Sequence, residues 1–283
     1  MNESLTSSNP GEVPFHENFR NYLFIVGAQK AGTSALYSYL QPSPDFMGGK
    51  IKEKSFFSRD NFYSRGIGYY LSLYPPVATD KWGLDATPEY LYYEKCAARI
   101  HAFAPRAKIV ILLREPASRA LSAYDMYREM IHWQWFRQRV REANKDAREF
   151  FTPIVEGKAP FNLGHFLDKE LEAIVNGGEA VEPSLIRRGL YAPQIERFIR
   201  QFGQQNVLVL FSSDLKKAPH GTVNRVLAFA GLGELANREY PAVNAREYRI
   251  DPQDRELIIR RAGELFARDK QQLIETFGLE VPW

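Results

Sequence analysis

The chain has a single cysteine, Cys96, among its 283 residues, which excludes a disulfide within the chain and is typical of proteins from reducing compartments. It also lacks an uninterrupted apolar run as long as a membrane-spanning helix requires. Residues 1–20 are polar and have no apolar core of the kind found in signal peptides. We therefore expect a cytoplasmic protein with a flexible leader over 1–20 and one domain over 21–283.

The chain also has little excess of positive over negative charge, because 37 Lys and Arg residues against 34 Asp and Glu residues leave a net charge of +3. The sequence has no block of basic residues, so nothing in it indicates a nucleic-acid partner. The five histidines are scattered and form no metal-ligand pattern with the one cysteine, so we predict no metal site. With 45% hydrophobic and 25% charged residues, the composition is that of a globular domain.

Short apolar runs alternate with segments of helical pattern. The predicted strands are Tyr22–Val26, Trp82–Asp85, Lys108–Leu113 and Val207–Phe211. The predicted helices are Ala31–Leu40, Glu94–Phe103, Pro116–Met130, 192–202, Thr222–Ala230 and Pro252–Phe277. Residues 48–76 are predicted to be irregular, and 132–165 are predicted to hold helical segments that shape the acceptor pocket. This alternation predicts an α/β fold, a single domain with a mostly parallel central sheet flanked by helices.

A small-residue loop joins the first predicted strand to the first predicted helix: Gly27-Ala28-Gln29-Lys30-Ala31-Gly32-Thr33-Ser34. Backbone N–H groups at a helix N-terminus favour anions, and small residues allow close approach of a phosphate. The spacing nearly matches the nucleotide-triphosphate P-loop, but Thr33 stands where that motif has lysine, and Lys30 lies inside the loop. This arrangement favours a shorter phosphate chain. A degenerate NTPase or kinase loop and a glycine turn without a ligand are the alternatives.

A second anion site is predicted after the strand Lys108–Leu113. Arg114 ends that strand and Ser122 follows eight residues later, so both can reach the carboxyl edge of the sheet, where open α/β folds bind ligands. Arginine offers a planar pair of donors to phosphate oxygens, and serine adds a hydroxyl. An NTPase would carry an acidic Mg²⁺ ligand there. Two phosphate sites in one chain do not fit an ordinary nucleoside triphosphate.

These two segments resemble the sulfotransferase superfamily that uses 3′-phosphoadenosine 5′-phosphosulfate (PAPS), and the heparan sulfate-type and related bacterial enzymes in particular. The resemblance implies a P-loop-like sulfotransferase fold, PAPS as the cofactor with 3′-phosphoadenosine 5′-phosphate (PAP) as its product, and no metal. It implies that the 5′-phosphosulfate is bound by Lys30, Ala31, Gly32, Thr33 and Ser34. It assigns the 3′-phosphate to Arg114 and Ser122. For Arg119, a helix-surface or ion-pair role is the favoured interpretation.

The segment Lys50-Ile51-Lys52-Glu53-Lys54-Ser55-Phe56-Phe57 resembles a family segment in which the glutamate is the general base. We therefore predict Glu53, Lys30 and Lys52 as catalytic. A carboxylate can take the proton of an attacking hydroxyl, and lysines can stabilise the charge that develops on oxygen. The alternative is a solvated charged turn. A histidine base, with His132 and His165 as candidates, is the second alternative.

Three further segments resemble cleft or cofactor segments of the family. Asp85 and Thr87 are predicted, with Lys52 and Glu53, to contact the acceptor, although Asp85 could equally be a structural hydrogen-bonding residue. Ala86 departs from the lysine often found in the heparan sulfate subfamily, so the acceptor is predicted to be a small molecule or a glycan other than heparan sulfate. Tyr191 and Arg246 are predicted cofactor contacts, with core packing as the alternative for Tyr191 and Arg249 as the alternative to Arg246. A non-catalytic anion- or carbohydrate-binding module is the rival from another functional class.

Overall fold

The computed structural model describes residues 19–75, 80–141, 151–177, 183–241, 243 and 251–283. Within these ranges, five parallel strands form one sheet in the order β2-β3-β1-β4-β5. The strands are β1 (Asn21–Gly27), β2 (Phe46–Gly48), β3 (Trp82–Ala86), β4 (Lys108–Leu113) and β5 (Val207–Phe211). The predicted leader falls mostly outside the described residues. The predicted fold class is confirmed.

The central strands are buried on both faces of the sheet. Leu23 of β1 is paired with Leu84 of β3 on one side and with Lys108 of β4 on the other. Apart from the strand ends, the side chains of β1 and β4 have almost no solvent exposure. Unbroken apolar runs such as that of β4 are typical of parallel strands covered by helices on both faces.

The first five helices are α1 (Thr33–Leu40), α2 (Asp60–Tyr63), α3 (Ile67–Ser72), α4 (Lys95–Phe103) and α5 (Pro116–Met130). The first four precede β4 in the chain, and α5 follows it. The later helices are α6 (Gln134–Arg141), α7 (Leu163–Val175), α8 (Ala192–Phe202), α9 (Ser212–Lys217), α10 (Pro219–Phe229) and α11 (Pro252–Phe277). The described residues 151–155 are also helical.

The direction in which the chain crosses the sheet reverses beside β1. From β1 the chain passes through α1 towards β2, and from β3 it passes through α4 in the opposite direction to β4. Because parallel crossovers are right-handed, these two helices cover opposite faces of the sheet. The carboxyl ends of β1 and β4, which are neighbours at this reversal, form the crevice in which open α/β folds bind ligands.

Two apolar clusters stabilise the domain. The larger one surrounds the sheet and includes α1, α4, α8 and α10. The smaller one joins α5, α6, α7 and α11 beside the sheet, with Phe151 and Leu185 among its buried residues. It extends the domain past the carboxyl edge of β4, because α5 starts there at Pro116.

Most predicted elements are present within a few residues of their expected bounds, and Lys108–Leu113 and Pro252–Phe277 agree at both ends. The prediction that 48–76 is irregular is wrong, because α2 and α3 lie there. The three-residue strand β2 and the six-residue helix α9 were not predicted either. Elements this short carry too little periodicity to be read from the sequence.

Candidate functional site

A cavity of about 510 Å³ opens at the carboxyl edge of the sheet, beside the reversal point. Its polar lining comes from the segments that follow β1, β2, β3 and β4, and from one arginine that precedes α8. The predicted site residues in this lining are Lys30, Gly32, Thr33, Ser34, Glu53, Arg114 and Ser122. The polar lining therefore brings together five parts of the chain that are distant in sequence.

The backbone carbonyl groups of the loop between β1 and α1 accept hydrogen bonds from two other segments of the chain. Arg114 donates from Nη1 to the carbonyl oxygen of Lys30 at 3.1 Å, and the Ser212 hydroxyl donates to the carbonyl oxygen of Ala31. Gly32 has a φ of 98°, in the left-handed region that favours glycine, and no side chain caps the start of α1. The first N–H groups of a helix have no partner within the helix, so this end is available to an anion.

Arg114 and Ser122 lie on the same cavity, as predicted from their spacing. Ser122 is 3% exposed, and its hydroxyl has no hydrogen-bond partner among the described residues. A buried hydroxyl without a partner is costly unless a ligand or water satisfies it. Arg114 is fixed in place by Tyr191, whose hydroxyl donates to the Arg114 carbonyl oxygen at 2.7 Å.

Tyr191 itself is completely buried and does not line the cavity. Its backbone N–H donates to Asp269 of α11 at 2.8 Å, and burial raises the pKa of its hydroxyl well above the usual range. These contacts match the core-packing alternative for Tyr191. A direct cofactor contact stays a prediction, as does that of Arg246, which lies outside the described residues.

Glu53 lies on the cavity wall with its side chain 53% exposed. Lys52 donates from Nζ to its Oε1 at 2.7 Å but does not line the cavity itself. The candidate base is therefore in an ion pair with one of the lysines that surround it in sequence. The two alternative histidines, His132 and His165, are exposed and are not among the described residues that line the cavity.

Asp85 and Thr87 are completely buried behind Glu53, outside the cavity lining. Thr87 donates to Asp85 at 2.7 Å, and the phenol of Tyr70 donates to the same carboxylate at 3.0 Å. The ammonium of Lys54, also buried, lies 3.9 Å from Asp85. Burial lowers the pKa of Lys54, while the negative charge of Asp85 opposes this change. Their contacts match the structural alternative for Asp85, and an acceptor contact stays a prediction for both residues.

Arg119 is completely buried, so its assignment to a helix surface is wrong. Its guanidinium donates to the carbonyl oxygen of Leu185, between α5 and the segment before α8. Burial lowers the pKa of Arg119, and the nearby Glu170 carboxylate opposes this effect. Arg119 therefore connects the two segments that carry Arg114 and Tyr191.

Five polar residues of the cavity lining were not assigned from the sequence: Gln29, Ser55, Arg59, Glu89 and Arg188. Arg188 is 4% exposed and places its guanidinium 4.1 Å from the ring centroid of Tyr92. Arg59 lies 3.7 Å from Glu89, which also accepts a hydrogen bond from Ser58. Glu89 and Arg188 lie within segments that resemble the family, at positions to which the resemblance gave no role. Only their placement on the cavity identifies them.

A further part of the cavity lining is apolar, and we call it the apolar wall. It consists of Met126, Tyr127, Met130, Trp135, Phe136, Val140 and Phe151. These side chains come from α5, α6 and the helical residues 151–155, which belong to the smaller apolar cluster. The site thus has a polar part next to the sheet, which holds the predicted anion-binding residues, and an apolar part formed by the added helices.

The described ranges contain no group of three His, Cys, Asp or Glu side chains placed to hold a metal ion. Within the same ranges, no helix has the length and apolar character needed to cross a membrane.

Comparison with known families decides the identity of this architecture. A family model described as "Sulfotransferase domain" matches residues 20–242. The chain belongs to the sulfotransferase family. The predicted family and fold are thereby confirmed, and the β1–α1 loop, Glu53, Arg114 and Ser122 of this sulfotransferase all fall inside the matched region.

Two similar proteins act on heparan sulfate according to their names. Human heparan sulfate glucosamine 3-O-sulfotransferase 6 is 28% identical over 84% of this chain and 59% of its own length. Mouse bifunctional heparan sulfate N-deacetylase/N-sulfotransferase 4 is 25% identical over 74% of this chain and 22% of its own length. The chain thus spans well under two thirds of the length of these relatives. A solved sulfotransferase from Alicyclobacillus acidocaldarius shares 27% identity and a TM-score of 0.66, covering 93% of this chain and 97% of the other.

Proposed function

We propose that the chain transfers a sulfonate group from PAPS to a hydroxyl or amine of a small-molecule or glycan acceptor. The observation that carries the proposal is the contact between two anion-binding elements on one cavity that also contains a carboxylate. The guanidinium of Arg114 lies 3.1 Å from the carbonyl oxygen of Lys30, and Glu53 lines the same cavity. A donor with two phosphate positions and a base for the acceptor would meet there.

The residues present fit PAPS as the donor. The partnerless hydroxyl of Ser122, beside Arg114, offers a donor to a 3′-phosphate, and the N-terminus of α1 offers backbone N–H groups to a 5′-phosphosulfate. Bound PAPS would supply an activated sulfonate with a phosphate leaving group. Gly32 and Ala31 keep side-chain bulk away from that end of the helix, while Thr33 and Ser34 extend the polar lining.

Glu53 is the residue that would remove the proton of the acceptor. Its side chain reaches the cavity and remains half exposed, so an acceptor hydroxyl can approach it. The hydrogen bond from Lys52 Nζ to Oε1, at 2.7 Å, holds the carboxylate in place at the cavity wall. General-base catalysis of this kind contributes about 10²–10⁴-fold to a rate. Lys30, which lines the same cavity, would stabilise negative charge on the leaving oxygen.

The test is a Glu53→Gln variant, because glutamine keeps the shape of the side chain but cannot take a proton. PAP affinity should stay within about twofold, while single-turnover transfer from PAPS to an acceptor should fall about 100-fold or more. Glu234→Gln, an exposed glutamate outside the cavity lining, is the matched control and should change neither quantity. A loss of less than tenfold at Glu53 would remove it as the base.

The donor is tested separately by calorimetric titration with PAP and with ATP. Tight binding of PAP and weak binding of ATP is the expected result, because the loop has Thr33 where a triphosphate loop needs lysine. Preference for ATP with Mg²⁺ would instead support a kinase. Binding of PAP without any turnover would support a non-catalytic module.

A further inference from the structure

The apolar wall faces the same cavity as the anion-binding loop, and α5 connects the two. Ser122, Met126 and Met130 are spaced four residues apart on α5, so they follow one face of the helix. At a rise of about 1.5 Å per residue, the two methionines lie about 6 Å and 12 Å along the axis from Ser122. The cavity therefore changes from polar to apolar over about two helical turns.

The cations of the cavity lie on its polar side. Lys30 and Arg114 belong to the anion-binding elements, Arg59 lies 3.7 Å from Glu89, and Arg188 lies over the ring of Tyr92. Among the described residues, none of the side chains through which α5, α6 and residues 151–155 line the cavity is charged. A sulfated glycan chain placed against this wall would lose the hydration of its charges without gaining a counter-charge, which is strongly unfavourable.

The apolar wall also reaches the surface of the protein. Trp135, at the edge of the wall, is 47% exposed, and its ring centroid lies 5.6 Å from that of Trp133, which is 42% exposed. Neighbouring exposed apolar side chains beside a cavity are typical of a ligand-binding groove. Methionines adapt to apolar ligands of different shapes because their side chains are flexible and polarizable.

We propose that the acceptor is an uncharged alcohol or phenol with an apolar body, which packs on the apolar wall while its hydroxyl points to Glu53. This inference rests on the proposed function, because it assumes that the polar side of the cavity holds the sulfonate donor. It places the acceptor class apart from the heparan sulfate named for the two relatives.

The test is calorimetric titration of 1-naphthol, a neutral aromatic alcohol, into the full chain with and without PAP. We expect saturable binding that Met126→Gln and Met130→Gln each weaken about tenfold, since a polar amide would replace an apolar contact. Val175→Gln makes a comparable change at a side chain that is 83% exposed on α7, and it should leave the affinity unchanged. Thermal melting checks that each variant is folded. If one methionine variant does not fold, the other is enough for the test.

Three results would overturn the inference: no saturable binding of 1-naphthol, equal affinity in the methionine variants and the wild type, or displacement of 1-naphthol by a sulfated heparan oligosaccharide together with sulfonation of that oligosaccharide. The PAP titration separates this inference from the proposed function. Failure to bind PAP would contradict the donor assignment, whereas PAP binding without 1-naphthol binding would contradict the acceptor class alone.

Discussion

The backbone N–H of Lys54 donates a 3.0 Å hydrogen bond to the hydroxyl oxygen of Thr87. Thr87 donates its own proton to Asp85 at 2.7 Å, so the threonine connects the loop after β2 to the end of β3. Lys54 directly follows Glu53, the proposed base. The bond therefore holds the backbone beside Glu53 against the buried centre of the domain, and it gives Thr87 a positioning role.

Replacing Thr87 by valine keeps the shape of the side chain and removes both hydrogen bonds. The buried N–H of Lys54 would lose its partner, at a cost of about 1–3 kcal/mol. We expect Thr87→Val to lower the sulfonate transfer rate about tenfold while PAP affinity stays the same, because the donor site is formed by other elements. Single-turnover kinetics and PAP titration measure the two quantities.

Thr222→Val is the matched control for this prediction. Thr222 is also buried and donates to the carbonyl oxygen of Ala218, but it lies on α10, outside the cavity lining. It should lower the melting temperature and leave the transfer rate unchanged. If the two variants reduced transfer equally, the positioning role of Thr87 would be contradicted.

Lys30→Ala should reduce turnover by about 100-fold or more at saturating PAPS, with a small change in the free energy of unfolding. The physical reason is that Lys30 lines the cavity, and its ammonium would stabilise charge on the leaving oxygen. Steady-state kinetics and urea denaturation measure the two effects. Lys50→Ala, at an exposed lysine outside the cavity lining, should change turnover and the free energy of unfolding very little. Near-normal turnover in Lys30→Ala would show that the loop assignment is wrong.

Arg114→Ala should weaken PAPS binding by about 2–3 kcal/mol, the value of a charge-assisted contact. Binding of adenosine 5′-phosphosulfate, which lacks the 3′-phosphate, should weaken much less. Some loss for both ligands is expected because Arg114 also holds the carbonyl of Lys30. Competition assays with both ligands supply the internal control, and equal losses would mean that Arg114 serves only the loop.

Glu170 predicts a pH dependence of stability. Burial raises its pKa from 4.5 to about 7, against the opposing effect of the backbone N–H groups of Arg187 and Ile186. Between these pH values the folded chain binds more protons than the unfolded chain, so this group's stabilising contribution is present below about pH 4.5 and is lost as the pH rises through about 7. The loss is at most about 3 kcal/mol, since one pKa unit corresponds to about 1.4 kcal/mol.

Urea denaturation of Glu170→Gln between pH 5 and about 8 should show a weaker decline of stability than the wild type does. Glu172→Gln, an exposed position on the same helix, should leave the decline unchanged. Asp269 acts with the same sign, because burial raises its pKa to about 6. A wild-type stability that rose over this range, with no difference in Glu170→Gln, would contradict the assignment.

The sequence by itself determined the fold class and the family, and it located the segments that the structure brings together in the cavity. Strand β4 was readable because a parallel strand buried on both faces is apolar along its whole length. The loop after β1 could be predicted as an anion site because its proposed function depends on backbone groups, small residues and one lysine that are close together in the chain. Arg114 and Ser122 could be predicted to lie together for a similar reason, because Arg114 directly follows β4 and Ser122 lies on the next helix, α5.

Only the tertiary structure decided which side chains face the cavity. Asp85, Thr87 and Tyr191 were predicted as contacts, but the structure buries all three outside the cavity lining. Thr87 bonds to the backbone N–H that follows Glu53, Tyr191 bonds to the backbone carbonyl of Arg114, and Asp85 accepts from Thr87. Arg188 and the apolar wall became visible as parts of the site only when α5, α6 and residues 151–155 had packed beside the sheet. Local patterns specify chain conformation and chemistry within a few residues, whereas the direction and burial of a side chain depend on segments that are distant in the sequence.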